Sequence, residues 1–230
     1  MPKNHLKPQS APKTWVIKRK NVKYVTRPHP GAHLMELSMP LNLVFKNLLQ
    51  TVKTNKEVKK ILHEQEILVD GKPRKDHKYS MGLLDVLSIT KTKENFVMLI
   101  NEQNKLSLQP IDKKDSTHKI SKITGKKCLK KGAIQLKTLD GRVIVVKKDN
   151  FKTGDSVLLS LPKQEVEETL KFEKGATILL FKGKYAGAIA TISEIKDKIL
   201  VFKKDSKEFE TKKEYAIVIG KDKPVIKITN

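Results

Sequence analysis

The sequence predicts an α+β multidomain protein in four parts. These are an extended basic arm over residues 1–39, a small domain of two helices and a hairpin over 40–104, a central β domain over 105–170, and a C-terminal β unit over 171–230. Three observations predict it. The first 35 residues hold no acidic side chain and are broken by five prolines; a window after residue 40 carries apolar residues at helical spacing; and from about residue 95 onward the chain is short apolar runs divided by turn residues.

In the arm, Pro2, Pro8, Pro12, Pro28 and Pro30 each forbid helix and push the preceding residue toward extended backbone. Lys3, Lys7, Lys13, Lys18, Arg19, Lys20, Lys23 and Arg27 are its charges. Such a segment buries too little apolar surface to fold alone, so it is expected to order on a partner. Trp15, the only tryptophan, is expected to pack either on that partner or on the body of the protein. The sequence leaves that choice open.

Beyond the arm, Leu41, Val44, Phe45, Leu48, Leu49 and Val52 fall on one face of a helix. Thr54 followed by Glu57 is a capping box, opening a second helix that buries Val58, Ile61 and Leu62. The strand Ile67-Leu68-Val69 then enters the turn Asp70-Gly71-Lys72-Pro73, and a further strand holds Val86, Leu87 and Ile89. Basic residues surround this core. Lys53, Lys56, Lys59 and Lys60 lie on the helices, and Lys72, Arg74, Lys75 and Lys78 lie around the turn. Two basic groups converging on one end of a small domain are the footprint of a polyanion.

The rest reads as β structure. Phe96–Ile100 and Leu106–Leu108 flank a turn at Asn104, and residues 133–139 and 142–146 flank Asp140-Gly141, a strong hairpin signal. Frequent turns between short strands suggest a small barrel or sandwich. Lys126, Lys127, Lys130 and Lys131 bracket Cys128 in a loop that either meets phosphate or is simply solvated. Residues 176–181 form a strand, followed by Lys182-Gly183-Lys184-Tyr185-Ala186-Gly187 and a second strand over 188–195.

Charge bounds the function. Lys and Arg total 48 against 25 Asp and Glu, a formal charge of +23. Such a charge strains a compact chain by self-repulsion unless a polyanion shares it, and phosphate is the usual one. Only Arg19, Arg27, Arg74 and Arg142 are arginine. Lysine is a point charge without the fork that reads base edges, so backbone and shape recognition are expected over sequence reading. One cysteine excludes an internal disulfide and a Cys-rich zinc site. The N-terminus has no apolar signal region, and no apolar run is long enough to span a bilayer. A soluble protein without membrane partner, cofactor or small-molecule substrate is expected.

Several stretches resemble a known family. Residues 41–89 are similar to the S-four-type RNA-binding domain, in which a helix face and a strand–Asp-Gly-Lys–basic turn grip structured RNA. The match implies that role for Lys59, Lys60, Lys72 and Arg74, with Asp70 and Gly71 forming the turn. The loop from Lys182 to Gly187 resembles the KOW motif of SH3-like barrels. Gly187 stands at the central glycine, while Lys182 and Ala190 replace glycines that many members carry. The bland role of Gly187 is to let the loop turn. The segments NHLK, APKTWVI, EVKKIL, ILVDGKPRKD, GLLDVLSI and ENF, in this order, resemble the S-four-e family of small-subunit ribosomal proteins along essentially the whole chain.

The resemblance implies a structural constituent of the small ribosomal subunit, in the cytoplasm, with ribosomal RNA and neighbouring ribosomal proteins as partners. The short chain is expected to be archaeal-type. The expected RNA contacts are Lys13, Lys18, Arg19, Lys20, Lys23 and Arg27 on the arm, and Lys56, Lys59, Lys60, Lys72, Arg74 and Lys75 on the helical domain. Lys182, Lys184 and Tyr185 on the last loop are expected to meet phosphate and a stacked base, although such loops also bind proteins. A free translation or assembly factor is the alternative. S-four-type domains also accompany RNA-modifying enzymes, but no phosphate-loop, dinucleotide or metal-ligand motif is present, so no catalytic residue is assigned.

Overall fold

The structure, a computed structural model, describes residues 4–129, 132–146, 149–204 and 207–226. It divides into two compact units, Met1–Ile100 with Asn104–Ser116, and Asn101–Gln103 with Thr117–Asn230. Strands dominate and helices are few.

In the first unit β1 (Ser38–Pro40) leads into α1 (Leu41–Leu43), which continues as a π-helical turn over Val44–Leu48. The expected helix through Val52 therefore ends early. Leu49 N–H donates to Val44 O at 3.0 Å, five residues back, and Gln50 then takes φ 55°, which no right-handed helix accommodates. Leu41, Val44 and Phe45 are buried, whereas Leu48, Leu49 and Val52 are only half-buried. The second helix, α2 (Asn55–His63), opens with the expected capping box: Thr54 Oγ1 accepts from Glu57 N–H, and the Glu57 carboxylate accepts from Thr54 N–H. Val58 and Leu62 are buried and Ile61 half-buried.

Next come β2 (Ile67–Val69), β3 (Lys72–Pro73), β4 (Ser80–Gly82), β5 (Val86–Ile89), β6 (Glu94–Ile100) and β7 (Leu106–Pro110). They form an antiparallel sheet in the order β3-β2-β5-β6-β7, with β1 and β4 as a separate pair. Asp70 and Gly71 have φ 52° and 72°, the two positive values a type I′ hairpin turn needs. Asp70 does more than turn the chain, because its carboxylate accepts from Val86 N–H at 2.9 Å and ties the hairpin to β5.

The arm packs on this unit. Trp15 is 1% exposed, and its indole N–H donates to Ser38 O at 2.6 Å and Met35 O at 3.2 Å. Of the two partners left open for Trp15, the body of the protein is the one it takes. Val25 N–H bonds Leu6 O, and Leu106 N–H bonds Thr14 O, so these backbone groups of the arm find partners outside the regular sheets.

The second unit holds two antiparallel sheets. One is built from β8 (His118–Cys128), β9 (Ile134–Thr138), β10 (Val143–Val146), β11 (Ser156–Ser160) and β12 (Val166–Leu170), in the order β10-β9-β8-β11-β12. Ile123, Ile134, Leu136, Val157 and Leu159 form its core. The expected Asp140-Gly141 turn joins β9 to β10. The other contains β13 (Thr177–Leu180), β14 (Ile189–Ile195), β15 (Ile199–Lys204), β16 (Lys207–Lys212) and β17 (Ala216–Gly220), in the order β16-β15-β14-β13-β17. Among the described residues no helix is long and apolar enough to cross a membrane.

Candidate nucleic-acid interface

On α2 the side chains opposite Val58 and Leu62 include Lys56, Lys59 and Lys60, all exposed. After the Asp70-Gly71 turn, Lys72 and Lys75 are exposed, while Arg74 is half-buried with its guanidinium 4.3 Å from the Tyr79 ring centroid. Stacking on an aromatic face fixes the plane of a guanidinium, which otherwise loses more freedom when it binds. The helix and the turn share one electrostatic neighbourhood. His77, in the loop beyond the turn, has a pKa pulled below the ordinary imidazole value by burial first and by the charge of Lys59 second, with Asp76 opposing. The helix cation therefore reaches the loop that carries the turn's cations.

Five of the six arm residues, Lys13, Lys18, Lys20, Lys23 and Arg27, are exposed. Arg19 is different. Its guanidinium donates to Pro8 O at 2.7 Å, Ala11 O at 3.1 Å and Pro12 O at 2.8 Å, so it pins the first turn of the arm from within. Lys3 lies outside the described residues.

In the second unit Lys184 is exposed and Lys182 half-buried. Tyr185 is half-buried too, its ring 5.4 Å from Phe202 and 4.9 Å from Phe209. Gly187 has φ +86°, as a turning residue should, but the turn is not its only constraint. A Cβ there would lie 2.3 Å from the Asn101 carbonyl carbon, so the backbone of Asn101–Glu102 needs the space. Lys204 pairs with Glu102 at 2.6 Å beside it. Lys126 pairs with Asp149 and donates to Phe151 O, Lys127 is exposed, and Lys130 and Lys131 lie outside the described residues.

Sequence reasoning missed a second class of cation. Lys119 is 1% exposed, with Nζ 3.1 Å from Asp140 Oδ2, and Arg142 Nε is 2.9 Å from the same oxygen. Ser121 and Thr138 hydroxyls donate to the other oxygen of Asp140. Burial pushes the Asp140 pKa up, but Lys119, Thr138, Arg142 and Ser121 together overcome this and hold it below the ordinary carboxylate value. The sequence assigned Asp140 to its hairpin alone. Lys122 is also buried and donates to the carbonyls of Glu214 at 2.8 Å and Ala216 at 2.7 Å. Burial lowers its pKa to about 8. These cations are taken up by internal partners, Lys119 and Arg142 by Asp140 and Lys122 by main-chain carbonyls.

Known proteins place the chain. The family model described as "Ribosomal family S4e" matches residues 92–166, and that described as "RS4NT (NUC023) domain" matches residues 1–36. The small ribosomal subunit protein eS4 of Methanocella arvoryzae is 39% identical over 229 residues, covering 97% of each chain. The chain belongs to the S4e family. A second S4e relative, from Methanocaldococcus jannaschii, is 38% identical over 241 residues, covering 99% of this chain and 98% of its own. The crystal structure of the 30S ribosomal protein S4e from Thermoplasma acidophilum superimposes with a TM-score of 0.68 at 26% identity, covering 80% of this chain and 94% of that one. The fold of this chain, mostly β-sheet with few helices, thus matches that of a solved S4e protein.

Proposed function

We propose that this S4e chain is a structural constituent of the small ribosomal subunit, where it binds ribosomal RNA through phosphate contacts and supports translation. The end-to-end likeness to proteins named for that subunit carries the reading. A formal charge of +23 supplies the chemistry, since each neutralised phosphate releases condensed counterions. Residues 40–104 act as an S-four-type RNA-binding domain, gripping RNA with Lys56, Lys59 and Lys60 on α2 and Lys72, Arg74 and Lys75 after the turn. The arm, residues 1–39, adds Lys13, Lys18, Lys20, Lys23 and Arg27, with Arg19 shaping it. Residues 105–170 serve as a central β domain, and 171–230 as an SH3-like KOW unit whose Lys182, Lys184 and Tyr185 face RNA or a neighbouring ribosomal protein. Contacts from several elements act together, because each ordered contact raises the effective concentration of the next. The protein works without catalysis, in the cytoplasm, as part of the ribosome.

Sedimentation of a lysate through a high-salt sucrose gradient, with quantitative detection of the chain, tests this. A constituent co-migrates with mature small subunits at one copy each. Recovery in free or precursor fractions would assign it to assembly instead.

A further inference from the structure

In the first unit a cleft of about 460 Å³ opens between the arm and the start of β4. Its size is that of a small-ligand site, which commonly spans about 300–1,000 Å³. Arg27 and Lys78 supply its positive charge, His29, Pro30 and His33 supply rings, and Ser80 adds a hydroxyl. Among the described residues that line it, none is a carboxylate. The neighbouring acids are already committed, Asp76 to His29 at 3.5 Å and Asp85 to His33 at 2.9 Å.

The walls are fixed in advance. His29 N–H donates to Lys78 O at 3.1 Å, joining the arm to the opposite side. The His33 ring is held by Asp85 and lies flat against Gly82, where a Cβ would come within 2.2 Å of it. Ser80 donates to Ser38, and Ser38 to Leu34 O. A preformed pocket of rings and hydroxyls with two cations and no acid in its lining fits a base on one side and a phosphate on the other. Unstacked bases of RNA are held in this way, on rings and by their edges.

Resting on the ribosomal reading above, we propose that this cleft takes one unpaired nucleotide of RNA. The base lies against Pro30 and His33, and its phosphate lies at Arg27 and Lys78. This contact differs in kind from the exposed lysines of α2, because it selects a nucleotide free of pairing instead of any phosphate.

The full-length chain bound to small-subunit RNA, probed chemically base by base, tests the proposal. Two variants accompany the natural chain: Arg27→Ala with Lys78→Ala, and Gly31→Leu. A Cβ at Gly31 meets nothing nearer than His29 O at 3.8 Å and Ser80 Cβ at 3.9 Å, so the leucine enters the cleft without moving backbone. One unpaired base protected by the natural chain becomes reactive with either variant. The double variant also lowers the log–log salt slope of binding by about 0.7, the value for one single-stranded phosphate, while Gly31→Leu leaves the slope unchanged. An unchanged footprint with both variants, or a crosslink from the cleft to protein instead of RNA, overturns the assignment. Failure of the natural chain to bind the RNA at all would instead be failure of the ribosomal reading, seen before any variant is made.

Discussion

On α2 of the first unit Lys56, Lys59 and Lys60 stand in solvent, whereas on β8 of the second unit Lys119 and Lys122 are 1% and 7% exposed. Lys59 and Lys60 sit in EVKKIL, and Lys119 and Lys122 in KISKIT, lysine-rich stretches of similar appearance. The first group has an apolar helix face beneath it and points away. The second is drawn inward by Asp140 and by the carbonyls of Glu214 and Ala216. Charge on this chain therefore divides into cations drawn into the fold and cations left in solvent. Net charge alone does not tell them apart.

The sharpest way to break this division is to remove Asp140. Asp140→Ala leaves Lys119 buried without its counter-ion, which costs about 3–5 kcal/mol, read as a fall in denaturant midpoint. Lys56→Ala, at an exposed position, should stay within about 0.5 kcal/mol. Replacing Asp140 and Lys119 together by apolar residues of similar volume should recover much of the loss, since burying the pair was itself costly. If Asp140→Ala unfolds no more readily than Lys56→Ala, the buried cluster does not hold the fold.

Trp15 sharpens the comparison from the other side. The arm carries exposed cations yet anchors itself by one buried ring, so Trp15→Ala should cost about 3–5 kcal/mol and expose the arm to protease. An unchanged melting temperature would return the arm to the class of tails that order only on RNA.

Lys122 gives a pH signature that no exposed lysine shares. Its folded pKa, about 8, lies below the ordinary 10.5. Between those values the unfolded chain keeps a proton that the folded chain has released, so stability rises with pH through that window. The rise amounts to about 3 kcal/mol at 1.36 kcal/mol per pH unit, and Lys122→Met should abolish it. Denaturant unfolding of both proteins across pH 8 to 10.5 measures it, and parallel curves would contradict it.

Local chemistry made part of this legible in the sequence. The capping box of Thr54 and Glu57, the Asp70-Gly71 and Asp140-Gly141 turns and the β-rich character after residue 95 all depend on neighbours in the chain. Features set by distant partners were not legible. The π-helical turn that ends the first helix at Leu48 has no sequence period of its own. Lys119 reads as a surface residue until β9 brings Asp140 against it. Arg19 reads as an RNA contact until the carbonyls of Pro8, Ala11 and Pro12 occupy its guanidinium. Gly187 reads as a loop glycine until the backbone of Asn101 approaches it.

The smallest expected effect on stability belongs to the residues expected to matter most for binding, and it gives the most direct test. The measurement is the salt dependence of binding to small-subunit RNA, with thermal unfolding alongside, for the natural chain and for Lys72→Ala, Arg74→Ala and Lys75→Ala combined. The account predicts a log–log slope lower by about two to three, near 0.9 per lost duplex-phosphate contact, with the melting temperature nearly unchanged. A slope that stays the same, or a triple variant that unfolds, would contradict the division between cations that fold this protein and cations that bind RNA.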